Sequence, residues 1–322
     1  MFSPNDLLVG LDVGGTSTRI VVADRSGRRL GAGAAGGGNP ISRGRDVAVA
    51  NVRDAMDQAM AGLDASSVAG VVMGIAGARS AQAHDGERIF DPVWRAYGID
   101  ADVRMVGDPL VAFAAGSSAG DGTVLIAGTG AVAAQVTDFD LSGTRDDGYG
   151  WLLGDTGSGF WLGRQAVNRT LRHINGHEPA GPLTASVLSA LSVSGASVEA
   201  VIGRVMADAP IRLAEYAPLV TSAAIQGDPT AKLIIAEAVE LLCQKMIAVR
   251  APGESTPIVL AGSLAAGDTP IADGIRSALA VAFPEAPVHA ASDGAAGAAW
   301  LAARMVSDDE AELAAMHRAL LG

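Results

Sequence analysis

The sequence predicts an α/β protein made of two related halves, and three observations carry that prediction. Short runs rich in β-branched residues alternate with stretches of helical periodicity along the whole chain. A pattern of strand, glycine loop and strand occurs twice, as LLVGLDVGGTSTRIVVAD at 7–24 and GTVLIAGTGAVAAQVTD at 122–138. The chain has 322 residues, enough for about two domains with a sizeable core.

In order, Leu7–Leu11 and Arg19–Ala23 are bounded by breakers and rich in β-branched residues, so they read as paired strands. A third strand is expected near Leu30–Ala34, followed by GGGNP and a helix from about Asp46 to Leu63. The stretch 68–78, VAGVVMGIAGA, reads as a buried strand running into a glycine loop. In VRMVGDPLVAFAAG, 103–116, a strand ends at a carboxylate and a helix opens, with Pro109 suited to its first turn. After the second hairpin, DGYGWLLGDTGSGFWLGRQAVNRTL at 147–171 is a glycine-dense loop leading into a helix. The stretch 183–249 is largely helical by periodicity, and 256–265, TPIVLAGSLA, is a strand followed by Gly-Ser. A small-residue helix follows in 291–305, and an amphipathic helix with acidic capping in 307–321. No linker is long or polar enough to cut the chain, so two domains are expected about a hinge near residue 116. The first comprises 1–115 plus about 300–322, with the last helix returning to it, and the second comprises 116–299.

Composition narrows the function classes. Hydrophobic residues make up 49% and charged residues 18%, which describes a globular chain. A net charge of −12 argues against nucleic acid and anionic membrane as partners. Cys243 is the single cysteine, so an intramolecular disulfide and a cysteine-based metal cage are excluded. No apolar run reaches the ~18 residues of a membrane span, and a cytoplasmic location is expected.

The glycine loops carry the chemistry. Gly14 and Gly15 adopt positive φ readily and leave backbone N–H groups uncovered, while Thr16, Ser17 and Thr18 add hydroxyls. Converging donors at a tight turn suit an anion, phosphate above all. A hairpin whose glycines only serve the turn is the alternative. Gly128-Thr129-Gly130 repeats the arrangement in the second half.

Five motifs in order, Asp-x-Gly-Gly-Thr, Gly-Asp before a small-residue helix, Ile-Ala-Gly-Thr-Gly, Leu-Leu-Gly-Asp-x-Gly-Ser-Gly and Ala-Gly-Ser-Leu, resemble the actin/hexokinase/Hsp70-type ATPase superfamily. Within it, the chain is similar to the BadF/BadG ATPase and N-acetylglucosamine kinase family from Leu7 to about Ala303. The resemblance implies two ribonuclease-H-like, actin-like ATPase domains with ATP and Mg²⁺ in an interdomain cleft. It places Mg²⁺ at Asp12 and phosphates on Gly14, Gly15, Thr16, Ser17, Thr18, Gly128, Thr129 and Gly130. Adenosine falls to Gly262, Ser263 and the helix start at Gly294–Gly297, whose small residues equally suit plain helix packing. Asp108 is the implied base that accepts the proton of the attacking hydroxyl, and a helix-capping role is compatible with it.

For the second substrate the resemblance suggests an amino sugar held by Asn39, Asp108, Thr129, Asp147, Gly150 and Asp155 and phosphorylated at its 6-hydroxyl. Asp155 has helix capping as its alternative role. Carboxylates crowding the loop, Asp146, Asp147 and Asp155, favour the partly cationic amine of glucosamine, with N-acetylglucosamine as the alternative. Two departures from the family pattern bear on specificity: Ser17 stands where a Lys is usual, and Thr156 where a Glu is usual. Trp151 and Trp161 suit either the sugar pocket or helix packing. Of His84, His173, His177, His289 and His317, only His173 and His177 have metal-like spacing, and a solvated helix end accounts for them better.

Two other classes compete with a kinase. A dehydratase activator holds an iron–sulfur cluster on cysteines from two chains, normally four thiolates, and a homodimer of this chain supplies two. A non-catalytic actin-like or sugar-sensing module would not need Asn39, Asp108 and Asp155 together. A repressor-type sensor would also need a DNA-binding segment ahead of the first strand. A homodimer is expected.

Overall fold

The computed structural model describes residues 6–76, 88–141, 143–193 and 197–322. His84 and the glycine loop expected at 77–78 lie outside them.

The elements run β1 (Leu7–Val13), β2 (Ser17–Ala23), β3 (Arg29–Gly36), α1 (Pro40–Arg43), α2 (Arg45–Ala59), β4 (Val68–Ile75), α3 (Asp91–Tyr97), β5 (Val103–Val106) and α4 (Asp108–Ala114). Then come β6 (Gly122–Ala127), β7 (Ala131–Val136), β8 (Arg145–Asp147), α5 (Gly159–Ile174), α6 (Pro182–Ala190), α7 (Val198–Met206), α8 (Ala217–Ile225) and α9 (Pro229–Val249). The chain finishes with β9 (Ile258–Ala261), α10 (Gly262–Ala265), α11 (Pro270–Ala282), β10 (Val288–Ala290), α12 (Gly294–Arg304) and α13 (Glu310–Leu321). The sequence does not announce the short pieces α1, α3, α10, β8 and β10, nor the 13-residue helix α11. Strands of three residues, such as β8 and β10, are too short to show a period.

Two compact units result, one of residues 1–121, 136–141 and 291–322, the other of 122–135 and 142–290. Each holds one five-stranded sheet, ordered β3-β2-β1-β4-β5 in the first and β8-β7-β6-β9-β10 in the second. The two orders are the same once the first strand of each unit is aligned, so the repeated hairpin in the sequence reflects a repeated sheet. The fold is α/β of the actin-like ATPase type.

In the first unit β1 pairs antiparallel with β2 (Leu11↔Ile20) and parallel with β4 (Leu11↔Met73). β1 is buried along almost its whole length, as a central strand covered on both faces must be. On one face α2 applies Ala48, Val52, Ala55, Met56 and Ala59. On the other, α12 lies so close that a Cβ on Gly10 would stand 2.1 Å from the Ala295 carbonyl and from the Ala299 nitrogen. Only glycine fits there. The terminal helix α13 docks on the same unit, through an Arg25–Glu312 ion pair and a 2.8 Å bond from Trp300 Nε1 to the Leu313 carbonyl.

In the second unit β6 pairs parallel with β9 (Leu125↔Leu260), and β7 antiparallel with β8 (Val132↔Asp147). Helices α5 and α9 contribute Trp161, Leu162, Ala238, Leu242 and Met246 to its core. Asp228 caps α9 by accepting from the Ala231 amide, and Pro229 opens the helix. Cys243 is partly buried on this helix, and burial pushes its thiol up to about 11, which keeps it protonated and inert. No helix among the described residues is long and apolar enough to cross a membrane.

Candidate functional site

In open α/β sheets, ligands bind beyond the carboxyl ends of the parallel strands. In the first unit those ends belong to β1, β4 and β5. β1 delivers Asp12 and then the turn at Gly14 and Gly15, closed by a bond from the Gly14 amide to the Ser17 carbonyl. The Gly14 carbonyl accepts from the Asn39 amide, and the Gly15 carbonyl accepts from Arg43 Nε at 2.8 Å. Thr16 is exposed at the turn and Ser17 half-buried beside it. Thr18 is fully buried, and its hydroxyl donates to the Gly36 carbonyl. Its side chain therefore braces β2 against β3 and is turned away from the surface that would meet phosphate.

The Asp12 carboxylate forms no hydrogen bond or ion pair with a described residue. Burial raises its pKa; Arg19 opposes the shift and Asp293 adds to it. Gly294, the first residue of α12, leaves room for it, since a Cβ there would stand 2.7 Å from Asp12 Oδ2. A half-buried, unpartnered carboxylate beside a glycine turn is chemically suited to a hard cation that retains its waters. Among the described residues, no cluster of three or more His, Cys, Asp or Glu side chains could hold a metal ion by itself.

At the end of β4, the Ala76 carbonyl accepts from Asn39 Nδ2, while Asn39 Oδ1 accepts from the Ile41 amide and starts α1. Both ends of this buried amide are thus engaged in holding the turn after β3 to β4. At the end of β5, Gly107 is the cap of α4 and Asp108 its first helical residue, followed by Pro109. The capping alternative for Asp108 moves to Gly107.

In the second unit the same strand ends carry the second glycine set. After β6, the Gly128 amide bonds the Gly130 carbonyl, closing the turn and leaving Thr129 exposed. After β9 comes Gly262 with φ of +82°, where a Cβ would stand 2.4 Å from the Ala127 carbonyl. Gly262 and Ser263 are exposed next to that turn. The GDTGSG segment reaches the same place. The Gly159 amide donates to the Gly128 carbonyl at 2.7 Å, and the Phe160 amide to the Thr129 carbonyl. Asp155 Oδ1 accepts from the Ala131 amide at 3.0 Å, and the carboxylate faces Gly130 so closely that a Cβ there would stand 2.9 Å from Oδ2. Burial raises the Asp155 pKa; Asp147 adds to the shift, and the Ala131 amide and Lys245 oppose it. Gly128, Thr129, Gly130, Asp155, Gly262 and Ser263 are thereby brought together. Gly150 stands apart, exposed on the loop with φ of +82°.

Asp147 has a different place from the one its sequence neighbours suggest. Its carboxylate pairs with Lys245 Nζ at 2.7 Å and accepts from the amides of Asp155 and Thr156 at 2.8 and 3.1 Å. Burial works against the anion, but Lys245 and those amides hold its carboxyl below the ordinary carboxylate range. These contacts consume the charge that the sequence reading offered to a cationic amine. Lys245 was missed altogether. It sits in the apolar run of α9, 89 residues beyond Thr156, with no local motif around it.

Of the remaining expectations, Trp161 is core and Trp151 packs on Phe160 with ring centroids 5.4 Å apart. His173 Nδ1 is engaged with the Glu178 carbonyl at the end of α5. Gly297 admits the backbone of α4, since a Cβ would stand 2.4 Å from the Val111 carbonyl, so packing accounts for that glycine.

The family model described as BadF/BadG/BcrA/BcrD ATPase family matches residues 9–302. The chain is similar to N-acetyl-D-glucosamine kinase of Dictyostelium discoideum, 25% identical, over 74% of this chain and 77% of that protein. It is similar to a glucosamine kinase of Vibrio cholerae, 26% identical, over 80% and 84% of the two chains. A solved structure from Chromobacterium violaceum, provisionally assigned as an N-acetylglucosamine kinase, superposes with a TM-score of 0.72 at 25% identity, over 93% and 99% of the two chains. With the strand order, the paired glycine turns and a family match over nearly its full length, the chain belongs to the BadF/BadG/BcrA/BcrD ATPase family.

Proposed function

We propose that the protein is an ATP-dependent amino-sugar kinase that phosphorylates the sugar at its 6-hydroxyl. The observation that carries this reading is the placement of both glycine turns and of Asp12, Asp108 and Asp155 at or beside the carboxyl ends of strands in the two sheets. The kinases to which the chain is similar support the substrate class.

In this reading the turn at Gly14 and Gly15, with Thr16 and Ser17, offers donors to the phosphates, and Gly128-Thr129-Gly130 does the same. Gly262 and Ser263 take the adenosine side. Asp108 accepts the proton of the 6-hydroxyl as its oxygen bonds to the γ-phosphorus and the bond to the β–γ bridging oxygen breaks, releasing ADP. Positioning and charge stabilisation do most of the work in such a transfer, so Asp108 orients the hydroxyl as much as it removes its proton. Magnesium, when bound, neutralises the phosphate charge, and Asp12 is the residue suited to hold it through water.

Asp155 is the sugar's carboxylate partner, with an oxygen free to accept from a hydroxyl. Asp147 leaves the list of amine-reading groups because Lys245 already neutralises it. The case for glucosamine then rests on Asp146 and Asp155. The test is ADP release from purified protein with ATP and a panel of glucosamine, N-acetylglucosamine and glucose. Release that depends on an amino sugar, with a sugar 6-phosphate seen by phosphorus NMR, supports the reading. Sugar-independent hydrolysis alone sinks it.

A further inference from the structure

Lys232 and Lys245 are the only lysines in a chain that otherwise uses arginine for its cations. Lys245 is 5% exposed, and its ammonium holds two partners at once, Asp147 Oδ2 at 2.7 Å and Thr156 Oγ1 at 2.6 Å. Those two residues flank the segment 148–155. Asp147 and Asp155 both sit in the left-handed region, with φ of 69° and 56°, as do Gly148, Gly150 and Gly157. The Asp155 amide donates to Asp147 Oδ1, which closes the base of the loop. At its tip, Tyr149, Leu152 and Leu153 are exposed. Asp147 and Asp155, left-handed without being glycine, keep that backbone only if something over-determines it. The Asp147 carboxylate does so with three contacts at the base, and Lys245 is what keeps that carboxylate ionised and fixed.

Resting on the kinase reading, we propose that Lys245 is a positioning residue for the sugar: through Asp147 and Thr156 it sets the Asp155 carboxyl against the Gly128–Gly130 turn. The short hydroxyl of Thr156 accepts from the buried ammonium, which ties the far end of the segment to the same lysine. A compact ammonium with three donors suits two partners from different directions, whereas a guanidinium fork is planar and larger. Asp155 is the group in this chain of contacts that the kinase reading gives to the sugar, so the effect is read on the sugar.

Three variants test this in steady-state kinetics with sugar and ATP varied separately, each with a thermal melt. Lys245→Met leaves Asp147 charged and unpaired, so lower stability accompanies any kinetic change. The double variant Lys245→Met with Asp147→Asn removes that unpaired charge and recovers much of the melting temperature. If Lys245 positions Asp155, kcat/KM for the sugar stays about 10- to 100-fold low in the double variant, while KM for ATP stays within about twofold. Recovery of sugar kcat/KM together with the melting temperature overturns the proposal and leaves Lys245 a stabilising residue only. Thr156→Val keeps the Lys245–Asp147 pair and loses only the hydroxyl, so it folds even if the others do not. Its expected mark is a severalfold higher sugar KM with unchanged KM for ATP, and wild-type kinetics there also overturn the proposal. Wild-type turnover on the same sugar separates the two failures. With turnover present and the variants unaffected, Lys245 alone is misassigned; with no turnover on any amino sugar, the kinase reading falls and this one with it.

Discussion

Asp155 Oδ1 accepts a hydrogen bond from the Ala131 amide at 3.0 Å, which ties the carboxylate of the GDTGSG segment to the first residue after the Gly-Thr-Gly turn. One oxygen is committed to the backbone and the other is left for a ligand. Asp155→Asn preserves the first contact, because the amide carbonyl accepts equally well, and removes the charge. Loss of one charged hydrogen bond, about 1.5–3 kcal/mol, predicts a fall in sugar kcat/KM of roughly 10- to 100-fold. Coupled ADP assays across a sugar series check it, with KM for ATP expected to hold. Because burial raises the Asp155 pKa, the wild-type acid limb should lie above the ordinary aspartate range and vanish in the variant.

Asp108→Asn is expected to fold, since Pro109 and the Gly107 cap keep α4 in place. General-base contributions run to about 10²–10⁴-fold, and turnover should fall by that order while nucleotide affinity is kept. Calorimetric titration of a non-hydrolysable nucleotide beside turnover measurements separates the two. Turnover within a few-fold of wild type removes Asp108 from the mechanism.

What the sequence displayed and what it hid divide along physical lines. β1, β2, β6 and β7 were legible because their period and their glycine breaks are local, and their repetition exposed the duplicated sheet. The positions of Asp12, Asp108 and the Gly-Thr-Gly turn were legible for the same reason, each lying at the end of a recognisable strand, while their roles belong to the proposed function. Thr18 and Asp147 were misjudged because spacing says nothing of which way a side chain turns. A threonine one residue beyond the turn faces the core, and an aspartate in a run of acids meets a lysine from a distant helix. Lys245 had no local signal, since a lysine within an apolar run of α9 gains meaning only from its distant partner.

Gly10→Ala tests the packing that joins the terminal segment to the first sheet. The added methyl would lie within 2.1 Å of the α12 backbone, with no flexible side chain to give way. Overpacking of this kind costs about 1–3 kcal/mol, and rigid backbone on both sides puts this site at or above the upper end. Urea denaturation should show a lower midpoint with the slope unchanged. A midpoint matching wild type means that α12 moves away freely.

Asp12 sets function against stability. Its carboxyl pKa is raised in the folded protein, chiefly by burial, so the native state binds this proton more tightly than the unfolded chain does. Stability from this group is therefore fully present below the unfolded aspartate pKa, near 3.9, and is lost as pH rises through the folded value. At neutral pH without metal, the wild type carries a poorly solvated and unpartnered anion. Asp12→Asn should consequently melt higher than wild type in EDTA at pH 8, with the difference shrinking toward pH 4. In magnesium and ATP the order reverses, because the wild type gains binding energy at this carboxylate and the variant does not. The variant should also lose most of its magnesium-dependent turnover. Melting curves at the two pH values, with and without magnesium and ATP, contain the whole test. A variant that melts below wild type in EDTA at pH 8 would show that Asp12 is a structural anion, and its assignment to the cation would have to be given up.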